Sequence, residues 1–182
     1  MKIGNIKHSL LAGVAALSVF ALSANVASAN LWYLQANLDG LQEVGPNASP
    51  GTGVANITLD DISGAVNVIG GSFFAGLVAP STAAHIHGSA PPGVNAGVIV
   101  PLVIPGGATA GPISGGGVLS APLVAAMLAG NTYVNVHSQA FPGGEIRGQV
   151  LVVPEPGMLS LTGLGVVGLF VRARSKTRMA KA

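Results

Sequence analysis

The central part of the chain alternates apolar and polar residues at a period of two, the signature of half-buried β-strands. Residues Gly53–Leu59 set Val54, Asn56 and Thr58 on one face and Ala55, Ile57 and Leu59 on the other. Leu34–Val44 reads as a strand before it. Asp60-Asp61-Ile62-Ser63-Gly64 reads as a turn, and Ala65–Ile69 as the returning strand of a hairpin. Further strands are predicted over Ser72–Leu77, Ala83–His87, Val98–Ile104, Thr132–His137 and Glu145–Val152. Pro105–Gly117 is Gly-rich and loop-like, with room for one short strand. A single helix is predicted over Leu123–Leu128, with Ser120 as N-cap, Pro122 in the first turn and Gly130 as its stop. Short strands with turn signals between them imply an all-β domain, a single Greek-key sandwich or barrel with one short helix.

Both ends of the chain break this pattern. Lys2, Lys7 and His8 precede an apolar run from Leu10 to about Leu22, and Ala27-Ser28-Ala29 has the small-x-small form of a cleavage site. Residues 1–29 therefore read as a secretory signal peptide, and residues 30–152 as the domain of an exported chain. At the other end Val153-Pro154-Glu155-Pro156 leads into an apolar run, Gly157–Val171. A basic cluster follows, with Arg172, Arg174, Lys176, Arg178 and Lys181. As a helix that run spans roughly 22 Å, less than the roughly 30 Å hydrocarbon core, which suits a temporary transmembrane anchor. Its basic flank would stay in the cytoplasm and the domain would face outward.

Charge changes the picture once the ends are set aside. Seven of the eight Lys and Arg residues lie in them. The domain itself carries Asp39, Glu43, Asp60, Asp61 and Glu145 against Arg147 alone, a net charge of −4. One cation cannot neutralise a run of phosphates, so nucleic-acid binding is excluded. The chain has no cysteine, which removes thiol nucleophiles, thiolate metal sites and disulfides together.

The few strong polar groups fall in three strings: Ala84-His85-Ile86-His87-Gly88, Tyr133-Val134-Asn135-Val136-His137 and Gly143-Gly144-Glu145-Ile146-Arg147-Gly148-Gln149. Alternation puts His85 with His87, Tyr133 with Asn135 and His137, and Glu145 with Arg147 and Gln149, each set opposite an apolar one. If the apolar sets face the core, the polar sets point away from it. Neighbouring strands would then gather His85, His87, His137, Glu145 and Arg147 into one surface patch. The last two strands are expected to pair through the short Ser138–Gly144 connection. Two chemistries fit. Neutral imidazoles at His85, His87 and His137 suit Zn²⁺ or Cu²⁺. Alternatively the histidines satisfy loop carbonyls and Glu145 pairs with Arg147 in a hydrogen-bonded network.

The same strings, with Leu38-Asp39-Gly40-Leu41-Gln42-Glu43-Val44 and Phe141-Pro142-Gly143-Gly144-Glu145, resemble the CHRD domain over about Tyr33–Leu151. That resemblance implies an extracellular β-sandwich module with no established enzymatic activity. The His85-Ile86-His87 string also looks like the His-x-His of Cu/Zn superoxide dismutase, so the expected fold is superoxide-dismutase-like or Ig-like. Only three histidines follow Asn30, too few for the full dismutase ligand set. The C-terminal segment 153–182 resembles the PEP-CTERM sorting signal. It implies cleavage near Pro154, Glu155 and Pro156 by exosortase after passage through the secretion machinery. The combined expectation is a non-enzymatic surface or matrix protein that contacts exopolysaccharide or surface proteins. The alternative is a copper- or zinc-binding protein, with metal-dependent redox activity as its enzymatic variant.

Overall fold

A computed structural model describes residues 29–154. The run read as a signal peptide, up to residue 28, and Glu155, Pro156 and the apolar and basic segments after them lie outside the described residues. No described helix is long and apolar enough to cross a membrane.

Eleven strands form one sheet: β1 (Leu31–Asp39), β2 (Thr52–Asp60), β3 (Ala65–Val68), β4 (Phe73–Ala75), β5 (Ser81–Gly88), β6 (Val98–Leu102), β7 (Gly111–Pro112), β8 (Gly115–Val118), β9 (Thr132–Ser138), β10 (Ile146–Gln149) and β11 (Leu151–Val152). Along the main path the order is β6-β5-β9-β10-β1-β2-β3-β8, with β11 on β1 and β4 between β2 and β7. Val103 and Ser114 exchange backbone hydrogen bonds of 2.8 and 3.0 Å just beyond β6 and before β8, drawing the two sheet ends together. The sheet is thus rolled nearly into a barrel. Its inward positions form the core, with Leu34, Ala36, Ile57, Leu59, Ile86, Val134, Val136 and Ile146 all buried. One helix, α1 (Ala121–Leu128), packs Val124 and Met127 inward.

The predicted strands match in kind and differ at their ends for identifiable reasons. β1 stops at Asp39, not Val44, because the Asp39 carboxylate accepts from the N–H groups of Leu41 and Gln42 and caps a 3-10 turn over Gly40–Gln42. Ser120 occupies the N-cap of α1 but makes no side-chain cap bond. The Gly-rich segment holds two short strands, β7 and β8, where room for one was expected. β8 pairs all four of its residues with β3, so register supplies the order that its glycines do not. The final strand divides into β10 and β11 around Val150, whose side chain is buried and whose N–H turns to the carbonyl of Thr132.

Candidate functional site

The three polar strings are adjacent. β5 pairs with β9 and β9 with β10, in registers that set His85 against Asn135, His87 against Tyr133, Ala83 against His137 and Arg147 against Asn135. Alternation then carries His85, His87, Tyr133, Asn135, His137, Arg147 and Gln149 to the outer face. That face is not a solvent-facing patch as the pattern implied. Tyr133, Asn135 and Arg147 are each 2% exposed or less. The cover is the Gly/Pro-containing loop between β5 and β6, here called the strap.

The strap is fastened by the polar strings themselves. Arg147 donates to the Asn95 Oδ1 at 3.2 Å and to the Val94 carbonyl at 2.9 Å. The Tyr133 hydroxyl accepts from Ala96 N–H at 3.0 Å and donates to the Ala96 carbonyl at 3.3 Å. Gln149 donates to the carbonyls of Ala90 at 3.1 Å and Gly130 at 2.6 Å. β5 and β10 flank β9, so His87 and Arg147 reach the Tyr133 ring from opposite sides. The His87 ring stacks at 4.8 Å with planes 3° apart, and the Arg147 guanidinium carbon lies 3.4 Å from the ring centroid. Arg147 is thus a buried cation held by carbonyl oxygens and a π-face.

Its carboxylate neighbour is Glu43, 8% exposed, which the sequence reading did not single out. Burial pushes the Glu43 carboxyl up, against the opposing pull of Arg147. The expected Glu145–Arg147 pair does not form. The backbone turns at Gly144, with φ of 137°, and the Glu145 carboxylate accepts instead from the Ser49 hydroxyl and the Val78 N–H, both at 2.6 Å. Glu145 therefore leaves the patch and braces the loops before β2 and β5. A charged residue in an almost uncharged domain was the signal available for Glu43. Asn95 and the Ala96 carbonyl carry no such signal.

The histidines form a cluster of their own. His85 Nδ1 lies 3.2 Å from His137 Nε2, and one ring nitrogen from each of His85, His87 and His137 falls within 4.8 Å of the others. His87 Nδ1 stands 3.0 Å from the Ala96 carbonyl and His137 Nδ1 3.0 Å from the Pro142 carbonyl. A carbonyl only accepts, so both rings carry their proton on Nδ1; the Nε2 lone pair of His137 then accepts from His85 Nδ1–H, a proton that a bound metal would displace. The Nε2 atom of His87 is buried with no hydrogen-bond partner. Burial lowers the pKa of all three rings. For His87 and His137 the carbonyl bonds oppose this, and neighbouring charges reinforce it, those of His85 and Arg147 on His87 and of His85 and His87 on His137. They are neutral near pH 7. Two nitrogens bound to a tetrahedral zinc at 2.0–2.1 Å stand roughly 3.3 Å apart, close to the His85–His137 separation. The His87 nitrogen, within 4.8 Å of the other two, completes the set. Among the described residues no Asp, Glu or Cys joins the cluster, so three nitrogens leave a coordination position open.

Beside the strap a cleft of about 330 Å³ opens between the turn Leu41–Pro46 and Pro92–Gly93, with Glu43, Arg147 and Gln149 among its lining residues.

The family model described as the CHRD domain matches residues 34–150, which holds all three polar strings, the strap and the histidine cluster. No curated protein and no solved structure matches the chain.

Proposed function

This chain belongs to the CHRD domain family, and from that premise we propose that its domain binds one divalent transition-metal ion, zinc or copper, between His85, His87 and His137. The observation that carries the reading is the pair of backbone carbonyls, of Ala96 and Pro142, that hold two of the three rings in the tautomer a metal needs. Outer carbonyls of this kind orient ligating imidazoles in metal sites generally. The unpartnered Nε2 of His87 agrees with it, since a buried polar atom without a partner needs an explanation. An all-imidazole donor set suits zinc or copper over calcium or magnesium, which prefer oxygen. The test is metal content and Zn²⁺/Cu²⁺ titration of residues 30–153, beside a His85→Ala/His87→Ala variant. Stoichiometric binding lost in the variant supports the site. Equal, weak uptake by both proteins would refute it and leave the histidines as supports for the strap and the Phe141–Gly144 turn.

The second reading concerns where the domain works. It is an exported, non-enzymatic surface module, anchored for a time through 157–171 and released by exosortase near Pro154–Pro156. The position of Pro154 favours this, because the chain leaves the domain there from the exposed end of β11. The cleft at Glu43 and Arg147 is the place for contact with exopolysaccharide or a surface protein. Replacing Pro154-Glu155-Pro156 should leave the protein membrane-retained in its native host. Release at the wild-type rate would refute the sorting reading.

A further inference from the structure

The outer face of β1 changes character along its length. Gln35 and Asn37 are polar, as an outer face should be, whereas Leu31 and Tyr33 on the same face are apolar and 53% and 45% exposed. β11 continues the anomaly. Leu151 sits opposite Gln35, and Val153 N–H donates to the Tyr33 carbonyl at 2.9 Å, so Leu151 and Val153 share that outer face. They are 55% and 42% exposed. Inward, the same strand presents Trp32, Leu34 and Ala36 to the core. The end of the β1–β11 ribbon is therefore apolar on both faces, a pattern of strands covered on both sides. A groove of about 480 Å³ runs alongside it, lined by Trp32, Val152 and Pro154 among others. The charged side chains facing this end are acidic. Asp60 lies opposite Leu31, and Asp61 accepts from the Trp32 indole N–H at 3.1 Å.

The chain itself indicates what covers this face. Three residues after Pro154 begins the apolar run Gly157–Val171. Three extended residues reach roughly 10 Å. A bilayer holding that run therefore lies no more than roughly 10 Å from Pro154 and roughly 20 Å from Leu151. The geometry points to the Leu31–Tyr33–Leu151–Val153 face as a membrane-resting surface, settled in the interfacial layer of a zwitterionic bilayer while the chain is still anchored. The acidic residues disfavour an anionic lipid surface, and tyrosine with aliphatic neighbours suits the headgroup boundary. This inference rests on the anchor reading above. Four side chains alone give weak, reversible attachment, so cutting the tail would also free the face.

Trp32 faces the core, so the single tryptophan is moved to the outer face with Trp32→Phe/Tyr33→Trp and serves there as the probe. The full chain carrying this pair is reconstituted in phosphatidylcholine vesicles with bromine high on the acyl chains, and vesicle flotation is scored in parallel. Its emission should fall by at least about two-fold relative to unbrominated vesicles, as an aromatic residue at the interface requires. Adding Leu31→Ser/Leu151→Ser/Val153→Ser should leave flotation and a cooperative melt unchanged and remove most of that quenching. Chain that floats with its emission unquenched overturns the inference and leaves the anchor standing. Chain that does not float overturns both. Emission shielded from bromine and from aqueous acrylamide, in proportion to protein density, would mean that a second copy covers the face, and also overturns the inference.

Discussion

Replacing Arg147 with Met tests whether the outer polar face is held as described. Methionine keeps much of the volume and the contact with Tyr133 while removing the guanidinium. Two hydrogen bonds from a charged donor are lost, to Asn95 Oδ1 and the Val94 carbonyl, each worth about 1.5–3 kcal/mol. The stacked cation on Tyr133 adds about 1–2 kcal/mol in a desolvated setting. These contributions do not add, because the freed strap can take up water. Glu43, whose carboxyl Arg147 pulls down through space, is left without that compensation, a smaller further cost. A loss of about 3–4 kcal/mol is therefore expected, a large part of the 5–15 kcal/mol typical of a domain. Urea unfolding of residues 30–153 measures it, with an unchanged slope showing that only stability moved. In a Glu43→Gln background the same change should cost less, since no carboxylate then depends on the Arg147 charge. Amide exchange across residues 90–97 should accelerate in the variant. A loss under about 1 kcal/mol would refute the reasoning, because exposed polar contacts cost that little.

Acid should weaken the metal-free domain through its three partly desolvated histidines. Their folded pKa values lie below the ordinary 6.5, so the unfolded chain takes up protons first. Their stabilising contribution is complete above about pH 6.5 and declines as pH falls through the folded values, which a series of thermal melts from pH 7.5 to 5 will show. Zinc titrations over the same range should lose affinity, since protons compete for the same nitrogens. Gly148→Ala should be among the most damaging single changes, because a Cβ there overlaps the Asn37 carbonyl on the neighbouring strand. Gly93→Ala in the strap meets no atom but strains a φ of 76°, so it should cost only about 1 kcal/mol. Cleavage between Ala29 and Asn30 would turn the Asn30 nitrogen, 2.9 Å from Asp61 Oδ1, into an ammonium. NMR titration of the mature chain should then find an α-amino pKa that drops on Asp61→Asn.

Much of this architecture was legible because alternation writes it into the sequence. Val54 to Leu59 declare a strand with one buried face, and the short Ser138–Gly144 link declares the β9–β10 hairpin. The adjacency of β5 to β9 had no local signal. It depends on tertiary pairing, and His-x-His alone does not encode it. Burial of the polar face was invisible for a related reason. Its cover is Ser89–Gly97, a stretch of Gly, Pro, Asn and small residues that reads as solvent-facing loop. That loop stays down because buried Arg147 and Tyr133, with half-buried Gln149, meet its carbonyls, not because it is apolar. Glu145 shows the limit of strict alternation. One glycine with positive φ before it was enough to turn the carboxylate toward Ser49 and away from Arg147. The strand length of β1 failed likewise, since an Asp39 side chain closing on its own backbone ends a strand that hydrophobicity alone would extend.

The hydrogen bond from Val153 N–H to the Tyr33 carbonyl brings the first and last strands of the domain side by side. In connectivity terms the domain is a closed loop with a narrow neck. Such a module drops into a surface turn of a host protein, or repeats along one chain, without pulling host segments apart. A circular permutant joining residues 30 and 153 by a short Gly/Ser bridge and opened at the exposed Gly106–Gly107 turn should therefore fold with its core and histidine cluster intact.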